Sequence, residues 1–172
     1  MEAKPRLLKR SPEPTKTLGR PEPVVTQPKS EPAKVQPTPN TGVGGSSLDT
    51  MVSACATEFM NARTSIHKLH LKVTGEGSFA AHKALYELYD ALPDHADTLV
   101  EGYQGAAEKI LSYSEVAPRT LDTVADGVAY LRDIYAMINK LQGMLPYSEI
   151  VNNLDLVKDS INSTKYKLLF LK

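Results

Sequence analysis

The sequence predicts an all-α fold: an antiparallel four-helix bundle preceded by an extended arm. Three observations carry this. Apolar residues recur at steps of three and four through residues 48–172, the period of amphipathic helices. No segment alternates apolar and polar residues as a strand would. Nine of the twelve prolines fall within residues 1–47.

The arm comes first. Its prolines are Pro5, Pro12, Pro14, Pro21, Pro23, Pro28, Pro32, Pro37 and Pro39, and its few large apolar residues are Leu or Val. Too little apolar surface is available there to offset the entropy of ordering the backbone. An extended, polyproline-rich segment is expected, ending in a Gly/Ser hinge over residues 41–47. Eight basic residues against four Glu give the arm a charge of +4 and leave −4 on residues 48–172, since the whole chain is neutral. The arm has three readings: a linker, a docking peptide, or a weak, salt-sensitive DNA tether through Lys4, Arg6, Lys9 and Arg10. Its prolines come as Pro-x-Pro with no Pro-x-x-Pro, which argues against an SH3-type ligand.

The first helix begins at Ser46 or Ser47, either of which can cap it, with Asp49 at the positive end of its dipole. Val52, Cys55, Phe59, Ala62, Ile66, Leu69 and Val73 form one stripe along about 27 residues. Residues 74–78 break it, and Ser78 is the expected cap of the second helix, about 79–115. Its stripe is Leu85, Leu88, Leu92, Leu99, Tyr103, Ala106 and Ile110. Pro93 should kink or divide it, and Ala117-Pro118 should end it. The third helix is expected over about 121–143, capped by Thr120 and closed by Gly143 and Pro146. The fourth spans about 148–171, with Ile150, Leu154, Val157, Ile161 and Leu168 inward. Four amphipathic helices with short joints make a four-helix bundle.

Composition narrows function. A neutral chain with 20 basic and 20 acidic residues is not a uniformly basic nucleic-acid binder. One cysteine, Cys55, excludes an intrachain disulfide framework and a Cys-rich zinc site. Neither a signal peptide nor a membrane span is expected, and a cytoplasmic location is the first expectation.

The four histidines, His67, His70, His82 and His95, fall near the first turn and the first half of the second helix. Asp97 and Glu101 are four residues apart and share a helical face. A pair of imidazoles with a pair of carboxylates suits iron, and zinc accepts the same ligands. His82 and Asp97 are separated by about 22 Å along a helix at 1.5 Å per residue, so one ion cannot bridge them within a chain. Either no shared site exists, or histidines of one subunit meet carboxylates of another across a two-fold interface.

The run His70-Leu-Lys-Val-Thr-Gly-Glu-Gly-Ser-Phe-Ala-Ala-His82, followed by His95-Ala-Asp97-Thr-Leu-Val-Glu101, resembles the Dps-like branch of the ferritin superfamily. That signature has a His, a Val-x-Gly turn, a Phe and a second His twelve residues after the first, then an Asp fifteen residues on and a Glu four later. The resemblance implies a ferritin-like bundle, a homo-oligomer, and ferroxidase ligands His70 and His82 from one subunit with Asp97 and Glu101 from its two-fold mate. It implies Fe(II) oxidation, with DNA protection in some members through basic tails. The sequence departs from the family at Leu71, where Trp is common, and at Tyr86, where many members have a further acidic ligand. A link of about 116–120 leaves no room for the small extra helix the family places there. The competing reading is non-enzymatic: a bundle used as scaffold in a large assembly such as a virion, with the arm lacing over its neighbours.

Overall fold

The structure, a computed structural model, describes residues 46–171. Lys4, Arg6, Lys9, Arg10 and the rest of the arm before Ser46 lie outside them. Among the described residues the chain is all-helical, with four helices and no strand: α1 (Ser47–His70), α2 (Ser78–Ala107), α3 (Val124–Gln142) and α4 (Ser148–Phe170).

Helix α1 starts on a reciprocal cap. The Ser46 hydroxyl accepts from the Asp49 N–H, and the Asp49 carboxylate accepts from the Ser46 N–H, satisfying two backbone donors that the first turn leaves free. Val52, Cys55, Phe59, Ala62, Ile66 and Leu69 are buried as the period predicts. Burial pushes the Cys55 thiol up to about 12, with Glu58 adding to the effect, so it packs as a small hydrophobe. The helix stops at His70 and Val73 packs from the turn.

The turn into α2 uses left-handed backbone at Gly75 and Gly77 (φ 85° and 74°), which glycine adopts without steric cost. Gly77, not Ser78, occupies the cap position, and no side chain caps this helix. The expected division at Pro93 does not occur: α2 is one helix of 30 residues. Proline removes one backbone hydrogen bond there. Leu85, Leu88, Leu92, Ala96, Leu99 and Tyr103 are buried on both sides of it, and that continuous packing outweighs the loss.

The second helix is shorter than its periodicity suggests. It ends at Ala107, with Glu108 in left-handed backbone and the Gln104 side chain accepting from the Leu111 N–H. Ile110 is 74% exposed, and Leu111 takes the buried position instead. The connection to α3 therefore covers residues 108–123, far longer than the link the sequence suggested, and contains no helix among its residues. Extended chain of that length spans about 50 Å, enough to traverse a 30-residue helix.

Side chains record its path along α1. Lys109 pairs with Asp49 at the α1 start (2.5 Å), the Asn61 side chain donates to Val116 O (2.8 Å), and Lys72 donates to Leu121 O (3.1 Å) beyond the α1 end. Arg119 reaches Asp133 of α3 (2.7 Å) and lies 4.7 Å from the Tyr130 ring centroid. The connection is thus a crossover running the full length of α1. Thr123, not Thr120, caps α3, in a second reciprocal box with Asp126. Gly127 admits α3 against α1, since a Cβ there would fall 2.6 Å from a Leu69 methyl.

Helix α1 packs on α2 and α3, and α4 packs on α2 and α3. Lys167, near the α4 end, pairs with Glu87 near the α2 start, and Gly102, near the α2 end, lies against Ile150 of α4. Each adjacent pair is therefore antiparallel, α2 and α3 run in the same direction, and the single crossover makes this possible.

The end of the bundle at Asp49 carries a measurable pH dependence. Hydrogen bonds from Lys109, then from Tyr103 (2.6 Å), hold the Asp49 carboxyl at about 2. A carboxylate whose pKa is depressed by folding contributes stability above its unfolded value, and that contribution is lost as pH falls through the folded one. Denaturant midpoints should drop between about pH 4 and pH 2 by an amount worth on the order of 2 kcal/mol. Asp49→Asn should flatten that part of the profile.

Candidate functional site

His70 closes α1, and His82 lies in the second turn of α2. The α1–α2 turn folds them onto one another, with ring centroids 3.6 Å apart and ring planes 26° from parallel. His70 Nδ1 lies 2.8 Å from the backbone O of His82, and His82 Nδ1 lies 3.1 Å from the backbone O of His70. A carbonyl oxygen only accepts, so each Nδ1 donates. In the neutral rings this leaves both Nε2 atoms as lone-pair donors. A backbone carbonyl on the far nitrogen is the usual way a metal-binding histidine is oriented. His70 is buried and His82 exposed, so the pair opens at the surface.

Aromatic side chains hold the pair. Tyr89 stands edge-on to His70 at 5.3 Å and stacks on His67 at 4.3 Å. Tyr86 lies 6.2 Å from His70 and edge-on to Tyr89 at 5.4 Å. His67 comes from α1 and the two tyrosines from α2. Their joint packing around His70 was not legible, because helical period fixes a face but not which rings meet across a turn. His95 stands apart on α2, where burial lowers its pKa and Asp94 opposes that shift.

Asp97 and Glu101 lie on α2, exposed, with no ion pair or hydrogen bond among the described residues. Asp90 and Asp94 are exposed on the same side of this helix. At 3.6 residues per turn, His82, Tyr86, Asp90, Asp97 and Glu101 fall within about 100° of arc. The structure thus brings His70 and His82 together and keeps Asp97 and Glu101 away from them, four turns along α2. No group of three or more His, Cys, Asp or Glu able to hold one ion forms among the described residues. One chain thus keeps the histidine pair and the acidic pair apart along α2, as the rise of a helix requires.

Exposed large apolar side chains neighbour the histidines in sequence. Leu71 is 71% exposed, Phe79 81% and Tyr86 47%. No helix among the described residues is long and apolar enough to cross a membrane.

No curated protein and no solved structure matches the chain. One family profile does, over residues 70–168. The match begins at His70, contains His82, Asp97 and Glu101, and extends over more than half the chain. The chain belongs to that family, whose description is "Family of unknown function (DUF5856)".

Proposed function

We propose that this protein is a ferritin-like, Dps-like iron oxidase. It takes Fe(II) as substrate at sites completed by two copies of the chain. The observation that carries this reading is the His70–His82 pair, with both Nδ1 atoms tied to carbonyls and both Nε2 atoms free beside an exposed face of α2. The fold supports it. A bundle with one long crossover, in which α1 neighbours α2 and α3 but α2 and α3 run in the same direction, has the connectivity of ferritin-like bundles.

The placement of the half-sites on α2 supports the two-copy arrangement. Consider a two-fold axis crossing α2 midway between His82 and Asp97, near Tyr89 and Asp90. It sets His82 of each copy against Asp97 of the other, with Glu101 one turn further on, over the α1–α2 turn that carries His70. Such an interface also covers the exposed Leu71, Phe79 and Tyr86. It brings the unpaired acids of α2, which would otherwise repel one another, to a cation.

Imidazole and carboxylate together suit iron and leave positions open for an oxidant. Each Fe(II) gives up one electron, and peroxide accepts a pair and leaves as water. The −4 charge of residues 48–172 favours cation entry.

The test is anaerobic addition of Fe(II) to the purified full chain, then peroxide, following ferric absorbance. Oxidation well above the rate in buffer is expected, saturating at about one site's worth of iron per chain, because an isologous pair carries equivalent sites. Oxidation no faster than in buffer would contradict the proposal.

A further inference from the structure

We infer that Tyr86 is a further ligand of this site, a phenolate that binds the ferric product. The inference rests on the iron reading above and extends it to a residue type that neither the His pair nor the acids supply.

Tyr86 follows His82 by one helical turn, so both side chains leave the same face of α2. Helical side chains tilt toward the N-terminus of their own helix, which carries the phenol of Tyr86 back over the turn that holds His82. The Tyr86 ring lies 6.2 Å from that of His70, which stacks on His82. Its orientation is set from behind. Tyr89, buried and stacked on His67, meets Tyr86 edge-on with planes at 88°, a favourable aromatic geometry. The Tyr86 hydroxyl makes no hydrogen bond among the described residues, and the side chain is 47% exposed on the side where the His pair opens. Tyr89 is only 8% exposed and held between two rings, so it serves as the prop.

Tyrosine oxygen is an established iron ligand. When the phenol binds the cation, its proton leaves to solvent, and the resulting O⁻ replaces a water on the metal. An anionic oxygen favours the trivalent product over the divalent substrate. Tyr86 therefore retains Fe(III) at the site after the electron has gone.

A phenolate bound to Fe(III) gives a charge-transfer band in the visible, which His, Asp and Glu ligands do not. The experiment loads the full chain and its Tyr86→Phe variant with Fe(II), oxidises both with limiting peroxide, and records the visible spectrum with the bound iron. The wild type should show the band. Tyr86→Phe keeps the ring and should keep its helical circular dichroism, while the band disappears and the variant retains less Fe(III) than the wild type. Iron bound by the wild type without a visible band would overturn the assignment of Tyr86 and leave the shared site standing. A band that persists in Tyr86→Phe would overturn it in favour of another tyrosine. Absence of protein-bound iron in both chains would overturn the iron reading itself, and this inference with it.

Discussion

Asp97→Ala is expected to abolish Fe(II) oxidation above the rate in buffer while leaving the bundle intact. Asp97 is exposed and makes no hydrogen bond or ion pair among the described residues, so its loss should change stability by no more than about 0.5 kcal/mol. A structural explanation of lost activity is thereby closed off, which His70→Ala would not achieve. His70 is buried and its Nδ1 is tied to the backbone of the next helix. The rate should fall by more than about a hundredfold, because even the outer partners of a metal ligand are worth about 10–100-fold. Stopped-flow ferric absorbance checks the rate, and urea unfolding checks the fold. Full activity in Asp97→Ala would remove the carboxylate half of the site. A large drop in stability would show that Asp97 does structural work in the monomer.

The second large effect concerns the core. Phe59 is fully buried at the middle of α1, in the same cluster as Ile66, Leu131 and Ile134. The chain has no Trp and only 3 Phe, and Phe59 is among the largest fully buried side chains of that core. Phe59→Ala leaves a cavity, and such truncations cost about 3–5 kcal/mol. Against a total stability of about 5–15 kcal/mol, the urea midpoint should fall by roughly a fifth or more. Phe79→Ala is the matched control: Phe79 is 81% exposed, and the midpoint at low protein concentration should hardly move. A loss below about 1 kcal/mol for Phe59→Ala would mean that the helices repack freely, and the half-sites would then lack a rigid frame.

Much of this frame was legible from period alone. The predicted stripes of α1 and α4 are buried except at Val73 and Leu168, which are partly buried, and Ser46 caps α1 as expected. The end of α2 was not legible, because the apolar period runs on to Ile110 while the backbone turns at Glu108. A hydrogen bond from the Leu111 N–H to the Gln104 side chain decides the matter, and that bond exists only once the turn has formed. The crossover was missed for the same reason. Its residues have no period of their own and are held by single contacts to α1, such as Asn61 to Val116 and Lys72 to Leu121. The spacing of His70, His82, Asp97 and Glu101, with the rise of a helix, was enough to show that one chain cannot close the site. It could not show that the two imidazoles stack and exchange carbonyl bonds, because that depends on how tightly Gly75 and Gly77 turn the chain.

The proposed sharing of the site between two copies makes complementation the most direct test. His82→Ala and Asp97→Ala should each be inactive alone, by loss of different halves. Unfolded together and refolded as a mixture, they should regain about a quarter of the wild-type sites. Random pairing makes half the dimers mixed, and each mixed dimer has one of its two sites intact. Recovery of that size, absent when the separately folded variants are simply combined for an instant, is the predicted result. Wild-type activity in either variant alone, or no recovery in a mixture shown to contain mixed dimers, would contradict a site shared between two copies.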